Sequence, residues 1–181
     1  MAQEKAKLQF AKAMDALMES KPVCKIHVCD LLQESGLSRQ TFYRHFRDIY
    51  DLINWMHVEK TRLAFDLFDF HGDLQEGLCV SLTLMLKNRT FYRQIISLEG
   101  YNSFYNTYYA RCKNNMAQFV QKRTALDEDI LFSIRFVSAG ITQMLVEWIQ
   151  GGMVELPEVM AKGFVENMPT RLQHACGIFE I

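Results

Sequence analysis

Prolines are scarce in this 181-residue chain, three in all, and its nine glycines sit at the edges of periodic stretches more than inside them. A chain so poor in helix breakers reads as helices joined by short turns. No run alternates apolar and polar residues between hairpin turns, which argues against a sheet. Nor does any stretch approach about 18 uninterrupted apolar residues, the length a membrane span needs. The opening Met1-Ala2-Gln3-Glu4-Lys5 is charged but lacks the apolar segment of a signal peptide. The five cysteines (Cys24, Cys29, Cys79, Cys112 and Cys176) form an odd, scattered set with no Cys-x-x-Cys pair. Reduced thiols in the cytoplasm are expected, and neither a disulfide framework nor a metal site is. Catalytic signatures are missing as well. His27, His45, His57, His71 and His174 make no His-Glu-x-x-His pairing, and neither a nucleophile elbow nor a phosphate-binding glycine loop occurs. No enzyme and no cofactor are expected.

Charge of one sign is absent too: the net charge is −1, which excludes a broadly basic nucleic-acid coat. Its distribution is uneven. Residues 1–50 hold eight Lys/Arg against six Asp/Glu, and residues 51–181 hold twelve against fifteen. A small basic patch near the N-terminus is consistent with DNA contact.

What the chain does have is helical periodicity. Phe10, Met14, Leu17 and Met18 form a first stripe that Pro22 ends, and Val28, Leu31 and Leu32 a second that Ser35-Gly36 stops. Phe42 and Phe46 form a third, one turn apart. Ile49, Leu52, Ile53, Met56, Leu63, Ala64 and Leu67 then make a long stripe ending near His71-Gly72, with Asp48 and Asp51 placed to accept the free N–H groups of its first turn. Further helices are expected over about 73–87, 89–98, 102–123, 127–150 and 156–175, with Asp127-Glu128-Asp129 at the start of one of them. The expected fold is all-α, about nine helices. Residues 1–47 make a three-helix head, 48–69 a connecting helix and 70–181 a larger helical body.

The informative segment is Ile26 to Phe46. It reads as a short helix, a tight turn at Gly36 and a second short helix capped by Ser38. Phe42 and Phe46 turn inward, which sends Arg39, Gln40, Tyr43 and Arg44 outward. That face offers two guanidiniums, an amide and a phenol with no acid among them, a set suited to base edges and phosphates.

Thr41-Phe42-Tyr43-Arg44-His45-Phe46, preceded by Ser35-Gly36-Leu37-Ser38, resembles the recognition-helix signature of the TetR/AcrR family of bacterial regulators. The likeness covers about residues 8–55. The segment from Ser138-Ala139-Gly140 to Gly151-Gly152 also resembles a C-terminal domain type shared with regulators of dihydroxyacetone kinase operons. By position, the family resemblance implies phosphate contacts from Thr41, Tyr43 and His45, and base reading by Arg39, Gln40 and Arg44. Two positions depart from the family. His27 stands where a capping Thr is usual and reads either as a plain surface residue or as a phosphate contact through its ring, and Ile49 stands where a Lys is usual, so that Arg47 is left to substitute. Lys25, like Lys5 and Lys7, reads either as a solvated charge or as a phosphate contact.

In the body, Tyr101, Phe104, Tyr105 and Tyr108 crowd one helix, with Phe65, Phe68, Tyr92 and Phe136 expected to face it. Hydrophobic core explains most of them; the resemblance implies that part of the cluster lines an effector cavity. Ile141, Met144, Leu145 and Trp148 on one helix, and Phe164, Met168 and Leu172 on the next, are expected to form a dimer interface, unless a monomer buries that face. The resemblance implies a homodimer whose paired heads read half-sites of double-stranded operator DNA. Two readings follow. One is a cytoplasmic repressor released by a small-molecule effector, without a membrane partner. The other is an activator or adaptor whose body binds a protein.

Overall fold

In the computed structural model, described for residues 2–71, 73–98 and 103–178 and without the side chains of residues 2–3 and 63–71, ten α-helices and no strand are present among the described residues. They are α1 (Ala2–Ser20), α2 (Val28–Ser35), α3 (Arg39–His45), α4 (Ile49–His71), α5 (Leu74–Lys87), α6 (Arg89–Ile95), α7 (Phe104–Gln121), α8 (Glu128–Gln150), α9 (Pro157–Glu166) and α10 (Thr170–Ala175). A short 3-10 turn, Val23–Lys25, follows Pro22.

The expected all-α architecture is present. One expected helix, over 156–175, is two. Pro169 has no N–H to continue the ladder and instead precedes the first turn of α10, so the chain stops at Glu166 and restarts. Several other helix starts follow their capping chemistry. Asp48 accepts the Asp51 N–H at 2.8 Å and Asp51 the Arg47 N–H at 3.1 Å. Asp73, Ser103 and Asp127 cap α5, α7 and α8 in the same manner. Arg171 of α10 pairs with Asp127 and with Asp129 (2.6 Å), which ties the last helix to the start of α8.

In the head, α1 packs against both α2 and α3. Phe10 is fully buried and meets the Phe42 ring edge-on at 5.3 Å, with Phe46 beyond it at 6.4 Å. The helix α4 runs from the head into the body, where it packs on α5; α5 packs on α9, and α7 and α10 on α8. Two polar ties cross from the body to the head. Gln94 on α6 donates to the Met18 carbonyl (2.9 Å) and the Lys21 carbonyl (3.3 Å), and accepts the Val23 N–H (2.9 Å). Lys60 on α4 bridges Asp15 (2.9 Å) and Asn88 (3.1 Å).

The expected dimer face is corrected here. Ile141, Leu145 and Trp148 on α8, and Phe164, Met168 and Leu172 on α9, α10 and the turn between them, are buried inside the protomer. They lie on the side of α8 that also buries Ile130, Ile134 and Val137, and Trp148 spends its indole N–H on the Glu155 carbonyl at 3.0 Å. Of the seven residues only Met144 is exposed, at 50 %. It belongs to the opposite stripe, with Phe132 (62 %), Phe136 (65 %) and exposed Gly140. Apolar residues on both faces explain why α8, at mean hydropathy 1.4, matches a membrane span by length and composition.

Candidate functional site

Gly36 ends α2 in the left-handed conformation, φ 67°, and its N–H closes the helix on the Leu32 carbonyl. The chain thereby turns sharply enough for α3 to begin three residues later. The Ser38 hydroxyl accepts the Thr41 N–H at 3.1 Å and lies 2.9 Å from the Thr41 hydroxyl, so the first turn of α3 is fixed. Behind it, Phe42 is fully buried and Phe46 nearly so; Phe46 packs on Trp55 at 5.9 Å, with the Lys7 ammonium near both rings.

That arrangement leaves Ser38, Arg39, Gln40, Tyr43 and Arg44 exposed together, with the Arg39 guanidinium 6.0 Å from the Tyr43 ring centroid. Thr41 is half-buried beside its cap. His45 is also half-buried, and its Nε2 is turned into the protein, where no partner appears among the described residues. Burial, helped by Arg44 and Lys7, holds this imidazole below its ordinary value, so the ring is neutral at pH 7. Only its other edge remains for a phosphate. Arg47 is exposed and spans 3.5 Å to Asp51. Lys25 and His27 are exposed at the approach to α2. His27 does not act alone as a cap: the Asp30 carboxylate accepts its N–H at 2.7 Å and pairs with Lys21 at 2.9 Å. Those two contacts hold the Asp30 carboxyl below the usual range, the His27 N–H first.

The body holds a second candidate site, a cavity partly open to solvent between α4, α5 and α7. His57, Thr61, Leu78, Ser81, Tyr108, Arg111, Cys112 and Asn115 are among its walls. His57 shares a hydrogen bond with the Tyr92 hydroxyl at 3.0 Å and meets the Phe104 and Tyr108 rings at 5.7 Å. Burial pushes its pKa down to about 3, with the Arg111 charge as a lesser cause, so this imidazole is neutral.

Of the eight aromatics expected to line a pocket, Tyr108 does. Tyr92 and Phe104 are buried behind it, stacked on His57. Two expectations are corrected. Tyr105 is 38 % exposed because Phe104, Tyr108, Cys112 and Met116 take the inward rows of α7. Phe136 points outward on the exposed stripe of α8. Phe65, Phe68 and Tyr101 lie outside the described residues. Aromatic crowding on α7 does not single out His57, Arg111 and Asn115, which also stand among the walls. The available signal was a charged residue, Arg111, three positions after Tyr108 and so on the neighbouring row of the same helix face.

Residues 72–169 match the family model described as a transcriptional regulator C-terminal region, of TetR type. A segment of 91 residues is 32 % identical to the HTH-type dhaKLM operon transcriptional activator DhaS of Lactococcus lactis subsp. lactis (strain IL1403), covering 50 % of this chain and 48 % of that protein. The match thus spans about half the length of the curated relative. A solved structure, the dihydroxyacetone kinase operon activator DhaS, superposes with a TM-score of 0.67 at 22 % identity, over 97 % of this chain and 98 % of that one. At that identity the superposition speaks for the fold. Because the matched C-terminal region takes in more than half of the sequence, the chain belongs to the TetR family of transcriptional regulators, a family of regulators and not of enzymes.

Proposed function

We propose that this protein is a sequence-specific DNA-binding regulator that acts as a homodimer and activates transcription. The observation that carries it is the exposed set Arg39, Gln40, Tyr43 and Arg44 on a capped, aromatic-backed α3. In this reading α3 enters the major groove. Arg39 and Arg44 pair with guanine and Gln40 with adenine, each good pair contributing about 1–3 kcal/mol of discrimination. Ser38, Thr41, Tyr43, His45 by its open ring edge, Arg47, Lys25 and His27 set the register on phosphates. The division of labour keeps 1–47 as the reading head, 48–69 as the connection and 70–181 as the body. Such a regulator works in the cytoplasm, on the nucleoid.

Dimerisation is assigned to the exposed α8 stripe of Phe132, Phe136, Gly140 and Met144, which replaces the buried face expected from sequence. An exposed apolar row over three turns of helix favours a covered surface, and Gly140 allows close approach of a partner helix.

Activation is preferred to repression because the curated relative is an operon activator. Exposed Val154, Leu156 and Val159 around the start of α9 are compatible with a protein partner on the body. A second reading, control by a small ligand, is favoured by the cavity between α4, α5 and α7.

Gel-shift titration against DNA flanking the protein's own gene, followed by transcription in vitro from the shifted fragment, tests the proposal. A discrete complex that survives unrelated competitor DNA, with a rise in transcript, supports activation. A discrete complex with a fall in transcript restores the repressor. Sequence-blind, strongly salt-sensitive binding removes the site-specific reading altogether.

A further inference from the structure

We propose that Gln94 is a positioning residue for DNA recognition: from the body it caps the end of α1, and so sets the angle at which the head presents α3 and the half-site spacing that a dimer accepts. This deepens the dimeric DNA-binding reading above and rests on it.

The end of α1 is not closed by its own sequence. The last four carbonyls of an α-helix have no partner within it, and a glycine in the left-handed conformation commonly helps to take them up. Here Ser20-Lys21-Pro22 stands at that place, with no glycine and, at Pro22, no N–H to donate. The Leu17 carbonyl accepts the Lys21 N–H at 3.0 Å. The Met18 and Lys21 carbonyls accept instead from the Gln94 side-chain amide, at 2.9 Å and 3.3 Å, and the oxygen of that amide accepts the Val23 N–H at 2.9 Å. One amide on α6 thus spends both its ends on the main chain of the head, beside the buried side chains of Met18 and Val23.

The stretch it holds leads directly to Lys25, His27 and α2. In the other direction α1 carries Phe10, about 12 Å before Met18 along the helix axis, which packs edge-on against Phe42 of α3. A change of place at the Met18 end is therefore delivered to the back of α3. Gln94 is half-buried on α6 and acts through α1. Lys60 of α4 supplies a second tie, to Asp15 at 2.9 Å and to Asn88 at 3.1 Å. Asp15 and Met18 lie three positions apart on α1, while Asn88 and Gln94 stand at the two ends of α6. Two attachments fix a rotation that a single one leaves free. The tolerance is small, because successive base pairs rise about 3.4 Å and paired heads read half-sites about 34–36 Å apart.

The test uses the full chain and duplexes built from the two half-sites protected in the fragment that the protein shifts. Their spacing is native, one base pair shorter, or one or two base pairs longer, and a further duplex carries a single half-site. Binding is read by fluorescence anisotropy, and folding by circular dichroism. The wild type is expected to lose about tenfold or more in affinity when the spacing changes by one base pair. Gln94→Met keeps the length of the side chain and removes its polar end. In that variant affinity at native spacing falls about tenfold and the spread across the series shrinks to about threefold, while single half-site binding stays that of the wild type. Gln94→Lys retains a donor for the two carbonyls and restores part of the spacing preference. Should Gln94→Met not fold, Gln94→Lys carries the test, with a smaller flattening in the same direction. An unchanged spacing profile in the folded variants overturns the proposal. So does a loss of single half-site binding, which marks a merely structural role in the head. Equal wild-type affinity for paired and single half-sites is seen without any variant; it removes the dimeric reading and the proposal with it.

Discussion

Arg39, Gln40, Tyr43 and Arg44 face solvent because Phe42 and Phe46 occupy the inward row of α3 against Phe10 and Trp55. Arg44→Ala therefore removes a reading group without touching the packing. Operator affinity should fall by about 1–3 kcal/mol, measured by gel shift, while the far-UV circular dichroism and urea midpoint stay put. Ser38→Ala acts oppositely, on the scaffold: loss of the cap bond to the Thr41 N–H should lower stability by about 0.5–2 kcal/mol in urea unfolding. His57 gives a pH prediction. Its folded pKa of about 3 lies below the unfolded value of about 6.5, so its contribution is present above pH 6.5 and is lost as pH falls toward 3. The groups facing it are Tyr92 from α6, and Tyr108 and Arg111 from α7. His57→Gln, compared with wild type in urea titrations between pH 7 and 4, should show a shallower loss of stability; an identical slope would remove His57 from the account. At this scale the exposed face of α3 was legible, since a motif of six consecutive residues carries both its inward and outward rows. The cavity was not, because His57 and Arg111 reach it from helices distant in sequence and only the tertiary packing brings them together.

Helix α6 is short, Arg89–Ile95, yet it connects the two candidate sites. Tyr92 meets the cavity's His57, and two residues on, Gln94 holds the end of α1 and the turn before α2 by three hydrogen bonds to backbone. Gln94→Ala leaves those backbone groups to find water or remain unpaired, which should cost about 1–3 kcal/mol. Hydrogen exchange should localise the loosening to residues 18–25. Uniform exchange across the chain would mean that Gln94 merely contributes to global stability. Elements were readable in sequence where caps and stripes agreed, as at Asp48 and Asp127. The break between α9 and α10 was not read, because the apolar spacing of Phe164, Met168 and Leu172 continues across Pro169. Periodicity records which residues are buried, and here a buried row runs over two helices.

On the scale of the whole molecule, the same ambiguity put the expected dimer face on residues that the protomer buries. Both faces of α8 are apolar, so spacing alone could not tell the row that fills the protomer's core from the row left outside. Burial separates them: Ile141, Leu145 and Trp148 inside, Phe132, Phe136 and Met144 outside. Phe136→Glu should therefore give a folded monomer by light scattering and weaken operator binding, since two heads on one two-fold axis are needed for a paired site. A dimer unchanged in mass would move the interface elsewhere. The most direct test of the account is fluorescence anisotropy with a labelled operator fragment and a scrambled fragment of equal length, at two salt concentrations, for wild type and Arg44→Ala. The account predicts that wild type prefers the operator at both salts, and that Arg44→Ala loses most of this preference while keeping its weak binding to the scrambled DNA. Equal affinity of the wild type for the two fragments, or a preference untouched by Arg44→Ala, would contradict it.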